Sequence, residues 1–275
     1  MEISEWTWKS FDGLDMYARA WAPQGLPKAT IMLVHGHGEH IVRYDHVAAA
    51  LTEKGYAMLG FDLRGHGRSG GPRGHTESYD ALMDDIAAFL QQVDERYPGL
   101  PRFLYGHSMG GNLVINYALR RKPELRGVIA TGPWFKLAFD TPGFQLTFLR
   151  LVSSVAHGFS LHSPVDADNL THDETSARAY EEDPLVHGII SARLLMTIHD
   201  SGLWALEHAA EFPLPLLLMH GADDPITSAK ASQEFAEKAG DKVTFKLWNG
   251  MFHEIHNELE KAEVFNFMLD WLGNH

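Results

Sequence analysis

The 275-residue sequence predicts an α/β fold: a mostly parallel central sheet covered by helices on both faces, with a mainly helical insertion. Three observations carry this. Short apolar runs near Ile31, Ala57, Phe103, Val128, Leu216 and Val243 alternate with segments of helical periodicity. The runs are continuously apolar, as strands buried on both faces must be. Roughly 80 residues separate the runs at Val128 and Leu216, far more than one crossover helix needs.

Taken in order, the chain opens on a hairpin. Trp6 and Trp8 alternate with polar neighbours, Asp12-Gly13 supplies the turn, and Met16, Ala18 and Ala20 continue the alternation. Helices are expected at 46–53, 79–96, 111–121, 229–238 and 259–271. The stretch 62–69 reads as a turn in which Arg64 and His66 are structural, buttressing the turn at 106–110. Residues 133–206 form the expected cap insertion, leaving 1–132 and 207–275 as the core. Within the cap Phe144, Phe148, Leu151, Val155 and Phe159 recur at helical spacing, thickened by Leu149 and Val152.

Composition bounds the function. With 45% hydrophobic and 21% charged residues the chain is globular in type. It has no cysteine, which excludes disulfides and thiol catalysis. A net charge of −13 argues against nucleic acid and against attraction to anionic membranes. No apolar run approaches the ~20 residues that span a bilayer. Met1-Glu2-Ile3-Ser4-Glu5 shows no apolar signal core, so a cytoplasmic location is expected. The sequence carries no signal of oligomeric state.

Chemistry enters with Gly106-His107-Ser108-Met109-Gly110, which follows the apolar run Phe103-Leu104-Tyr105 and opens a helix. A Gly-x-Ser-x-Gly turn between strand and helix forces its serine into a strained conformation and exposes the hydroxyl at the helix N-terminus. A serine is a weak nucleophile without a base and a group that orients the base. In this architecture the order is Ser, acid, His. Asp223 and Asp224 follow the strand at Leu216 and compete as the acid; spacing alone does not separate them. His253 follows the strand at Val243 and a glycine, which favours it as the base over His256 three residues on.

A developing oxyanion needs backbone donors. His35-Gly36-His37-Gly38-Glu39-His40 follows the strand at Ile31, and the His37 amide pairs naturally with that of Met109. The same stretch also reads as a metal site. However, His-x-His lacks the spacing that puts two ligands on one helix face, and no cysteine completes a thiolate site. No metal or organic cofactor is expected.

These pieces resemble the monoacylglycerol lipase and lysophospholipase-like branch of the α/β-hydrolases, also labelled serine aminopeptidase-like. The matching motifs are His35 to His40 with Arg43-Tyr44, Asp62-Leu63-Arg64-Gly65-His66-Gly67-Arg68-Ser69, the Ser108 turn, Gly221-Ala222-Asp223-Asp224 and Gly250-Met251-Phe252-His253. The resemblance implies Asp224 as acid, three residues after the strand-terminal glycine, and His253 as base. It implies a small lipid ester substrate and head-group contacts from Glu39, Arg43, His107 and His256. A loop-fixing ion pair is the other reading of Glu39 and Arg43. In relatives the residue at His37 is usually small or apolar; its backbone role survives the change.

Against that background the cap stripe has two readings. It packs onto the core, or it serves lipid, as a lid over an acyl tunnel or a surface settling transiently on aggregates or membrane. The expected activity is cleavage of monoacylglycerol to glycerol and fatty acid through an acyl-serine. Lysophospholipase, broad carboxylesterase and non-catalytic acyl binding are the alternatives.

Overall fold

The structure is a computed structural model that describes residues 1–156 and 158–275. Its framework is an eight-stranded sheet in the order β1-β2-β4-β3-β5-β6-β9-β10. The hairpin of β1 (Glu2–Lys9) and β2 (Asp15–Ala22) forms one edge and meets β4 (Ala57–Phe61) antiparallel. From there β3 (Thr30–Val34), β5 (Arg102–His107), β6 (Gly127–Thr131), β9 (Leu216–Gly221) and β10 (Val243–Trp248) run parallel. Every residue of β3, β4, β6 and β9 is buried, which is why these strands read as unbroken apolar runs.

Helices cover both faces. Phe103, Ile129 and Leu217 pack on one side with α1 (Asp45–Glu53) and α8 (Lys261–Gly273). Leu104, Val128 and Leu218 face the other, under α2 (Tyr79–Arg96), α3 (Met109–Arg121) and α7 (Ala229–Ala239). The Ser78 and Ser228 hydroxyls cap α2 and α7 by accepting from Ala81 and Ala231 amides. The last helix starts at Lys261, and His256 lies on the loop before it.

Between β6 and β9 the chain forms α4 (Gly143–Val155), β7 (Ser160–His162), α5 (Glu174–Glu181), β8 (Ile189–Ser191) and α6 (Ala192–Glu207). The segment is helical but also carries an antiparallel β7–β8 pair outside the main sheet. Its α6 sends Leu194, Ile198, Ala205 and Leu206 into the cluster that covers the sheet, whereas α4 has no buried residue. Among the described residues no helix is long and apolar enough to cross a membrane.

Candidate active site

The carboxyl ends of β3, β5, β9 and β10 converge, where open α/β sheets place their ligands. Ser108 sits between β5 and α3 at φ 55, a left-handed conformation uncommon for a non-glycine residue. The turn is held by its backbone: the Ser108 amide donates to Thr131 O, and Ser108 O accepts from Asn112 and Trp134. A Cβ at Gly106 would stand 2.3 Å from Gly110 O, and one at Gly110 would stand 1.9 Å from Val34 O. Only glycine permits that approach.

Asp224 and His253 meet at the ends of β9 and β10. His253 Nδ1 lies 2.7 Å from Asp224 Oδ2. Asp224 Oδ1 accepts from the Ile226 and Thr227 amides, and Oδ2 also accepts from Thr227 Oγ1. Burial alone would raise the Asp224 pKa, but the charge and hydrogen bonds of His253 and His220 outweigh it, and the pKa falls well below the usual carboxylate range. For His253, burial works against the charged ring, yet the Asp224 carboxylate prevails and the pKa rises. An ionised Asp224 fixes the proton of neutral His253 on Nδ1 and leaves Nε2 bare. By contrast, Asp223 is exposed and its side chain makes no hydrogen bond to a described residue. Ser108 and His253 line one cavity, but no hydrogen bond joins them in this structure.

That cavity measures about 500 Å³. Gly36 and His37 lie on its wall, and α3 begins at Met109, whose N–H is one of those a helix leaves unpaired. The His37 amide has no hydrogen-bond partner among the described residues. Burial pushes the His37 ring down to about 3 and keeps it neutral. Since His66 Nδ1 donates to Arg64 O, His66 Nε2 accepts from His37 Nδ1 at 3.3 Å. His37 Nε2 is buried and unpartnered. The His37 ring packs edge-on against those of His66 and His187, and no group of three or more His, Asp or Glu among the described residues is arranged to hold a metal ion.

Glu39 and Arg43 belong to a buried ion cluster. Arg43 grips Glu254 at 2.7 and 2.8 Å and reaches Glu39 Oε2 at 2.5 Å. Glu39 Oε1 also accepts from the Gly36 amide and the Tyr44 hydroxyl, so the ion pair fixes the loop after β3. Both residues also line the cavity, as does His107, whose Nδ1 donates to Thr131 O. His256 is not on the wall. It is buried behind His107, stacked 4.9 Å from Tyr44, because its loop turns inward before α8.

Two other expectations are corrected. Phe144, Phe148, Leu151, Val155 and Phe159 neither pack onto the core nor line the cavity; they are 47–75% exposed. The apolar wall is instead supplied by Trp134, Leu137, Phe139, Leu161, Val165 and Leu195. Arg64 is structural but away from the serine turn, forking onto Asp85 and reaching Asp12 of the hairpin turn. Sequence reading missed Glu254, adjacent to His253, and Tyr180, whose ring lies 4.8 Å from the Arg43 guanidinium on the cavity wall.

A serine on a strained turn, a carboxylate-bound histidine and free amides around one cavity form a set able to perform acyl transfer. The family described as Hydrolase_4, serine aminopeptidase S33, matches residues 25–260. The chain belongs to this family. As a hydrolase of this family, it is 30% identical over 274 residues to a Mycolicibacterium smegmatis monoacylglycerol lipase, covering 99% of this chain and 98% of that protein. An uncharacterized abhydrolase domain-containing protein of Dictyostelium discoideum is 36% identical over 257 residues. There the match covers 92% of this chain but 27% of the relative's length. The crystal structure of Paleococcus ferrophilus monoacylglycerol lipase superposes with a TM-score of 0.84 at 31% identity, covering 99% and 98% of the two chains. The fold of this hydrolase is thus the α/β-hydrolase fold.

Proposed function

We propose that this hydrolase cleaves monoacylglycerols to glycerol and free fatty acid through an acyl enzyme on Ser108. The observation that carries the reading is the cavity shared by Ser108 and the Asp224-bound His253, with a charged wall at Glu39, Arg43 and Glu254 and an apolar wall at Leu137, Leu161 and Leu195. A single-chain ester with a small polar alcohol matches both kinds of wall. Relatives that bear the monoacylglycerol lipase name over nearly their whole length support the same substrate class.

In the first step His253 Nε2 takes the Ser108 proton while Oγ attacks the ester carbon, and the His37 and Met109 amides bind the oxyanion. The ester C–O bond breaks, and the alcohol leaves with the proton from His253. Water, deprotonated by the same nitrogen, then releases the acid and restores Ser108. Glu39, Arg43 and His107 are assigned to the polar end of the substrate. Residues 133–206 act as a cap, and the exposed face of α4 settles transiently on lipid aggregates or membrane.

A lysophospholipid fits less well. Arg43 is already paired with the Glu254 carboxylate and bound to Glu39, so it offers no free charge to a phosphate. Laurate release from 1-monolauroylglycerol and from lauroyl-lysophosphatidylcholine tests the choice. Preference for the glyceride, lost in Ser108→Ala, supports it. Preference for the lysophospholipid keeps the mechanism and overturns the substrate, and release from neither overturns both.

A further inference from the structure

His220 lies in β9, four residues before Asp224, and is fully buried. Its Nε2 is 2.9 Å from Asp224 Oδ2 and 3.2 Å from the Thr227 carbonyl. Both partners only accept, the carboxylate because it is ionised, so Nε2 carries the hydrogen. On the far side Nδ1 lies 2.8 Å from Ser232 Oγ on α7, and in the neutral ring it accepts from that hydroxyl. A continuous chain therefore runs from Ser232 through His220 to the same carboxylate oxygen that holds His253.

We propose that His220 is a positioning residue, whose Nε2–H fixes the Asp224 carboxylate and draws off part of its charge so that His253 remains a usable base. The inference rests on Asp224 being the orienting acid. Asp224 Oδ1 is pinned by two amides, but Oδ2 depends on side chains: His253, Thr227 and His220. Of these, Thr227 Oγ1 has one proton and three further neighbours within 3.3 Å, namely Gly132 O, His220 Nε2 and His253 Nδ1. The Nε2–H of His220, by contrast, has Asp224 Oδ2 as its nearest acceptor, 2.9 Å away against 3.2 Å for the Thr227 carbonyl.

Removing that donor leaves the full carboxylate charge facing His253. The imidazolium is then held more strongly, and the pH at which the base becomes available rises. Other groups face His253 as well. The His107 ring at the end of β5 lies 4.7 Å away, Glu254 and His256 sit on its own loop, Glu39 comes from the loop after β3, and Thr227 reaches its Nδ1. These neighbours are the same in wild type and in variants at position 220.

The test compares wild type, His220→Gln and His220→Leu by kcat/KM on 1-monolauroylglycerol across the acidic limb. For His220→Leu the expectation is an upward shift of the midpoint by about half to one pH unit and a plateau about tenfold lower. His220→Gln retains an amide donor, and its midpoint should lie nearer wild type. A lower plateau with an unmoved midpoint, or a midpoint moved downward, would overturn the proposal. If the variants fail to fold, nitrogen-15 histidine spectra of the wild-type enzyme decide. They should show His220 protonated at Nε2 and bare at Nδ1, and the opposite tautomer would overturn it. A wild type that neither cleaves the ester nor labels at Ser108 with a fluorophosphonate removes the underlying reading instead.

Discussion

Arg43 lays its guanidinium across both oxygens of Glu254, at 2.7 and 2.8 Å, one residue from His253. The same nitrogen that meets Glu254 Oε1 also meets Glu39, so one cation ties the loop after β3 to the loop that carries His253. Burial would raise the Glu254 pKa, but Arg43 outweighs it and holds that carboxyl well below its usual range.

The cluster predicts a stability defect. Arg43→Ala leaves the buried Glu254 carboxylate without its cation, a kind of change that costs roughly 3–5 kcal/mol. Thermal denaturation at neutral pH should show a Tm lower by on the order of 10 °C. A depressed carboxylate stabilises the fold above its unfolded pKa near ~4.3 and loses that effect as pH falls through the folded value. The gap between wild type and variant should therefore be full at neutral pH and shrink in acid. An unchanged Tm at neutral pH would contradict the account of the cluster.

Two adjacent acids should behave very differently. Asp224→Asn removes the charge that orients His253 and should lower kcat by about 10⁴-fold. Asp223→Asn, at an exposed position, should stay within about twofold of wild type. Steady-state kinetics on both variants checks this, and equal losses would undo the assignment.

The raised pKa of His253 sets the direction of the pH profile. The proposed mechanism needs this imidazole neutral, so kcat/KM should climb with pH through a midpoint above the ordinary value of ~6.5. The limb should move to lower pH in Asp224→Asn, if enough activity remains to follow it. A flat profile from about pH 5 to 9 would contradict His253 as the base.

The outward face of α4 makes a separate prediction. Phe144 and Phe148 are 75% and 61% exposed, so changing both to Ser leaves the core untouched. Binding to lipid vesicles, read by co-sedimentation, should weaken by roughly tenfold while turnover of a soluble short-chain ester holds steady. Unchanged vesicle binding would remove the surface role from the helix.

Much of this was legible before folding. Unbroken apolar runs such as Thr30–Val34 and Leu216–Gly221 announce buried parallel strands, and glycines at 106 and 110 announce a turn that no side chain tolerates. The direction of the α4 stripe was not. Helical spacing says that one face is apolar, but not what that face meets. Here Arg150 on α4 binds Asp200 on α6 and the stripe is left outward. His256 shows the same limit, since a histidine three residues from the base is near the site in sequence yet turned behind His107 in space. Arg43 and Glu254 lie 211 positions apart, and no local pattern pairs them.

The most direct test of the central claim is the intact mass of the protein after a fluorophosphonate, for wild type, Ser108→Ala and His253→Ala. A single adduct mapped to Ser108 is expected, absent from Ser108→Ala and formed far more slowly in His253→Ala. No adduct on the wild type, or an adduct elsewhere while Ser108→Ala still hydrolyses monolauroylglycerol, would contradict it.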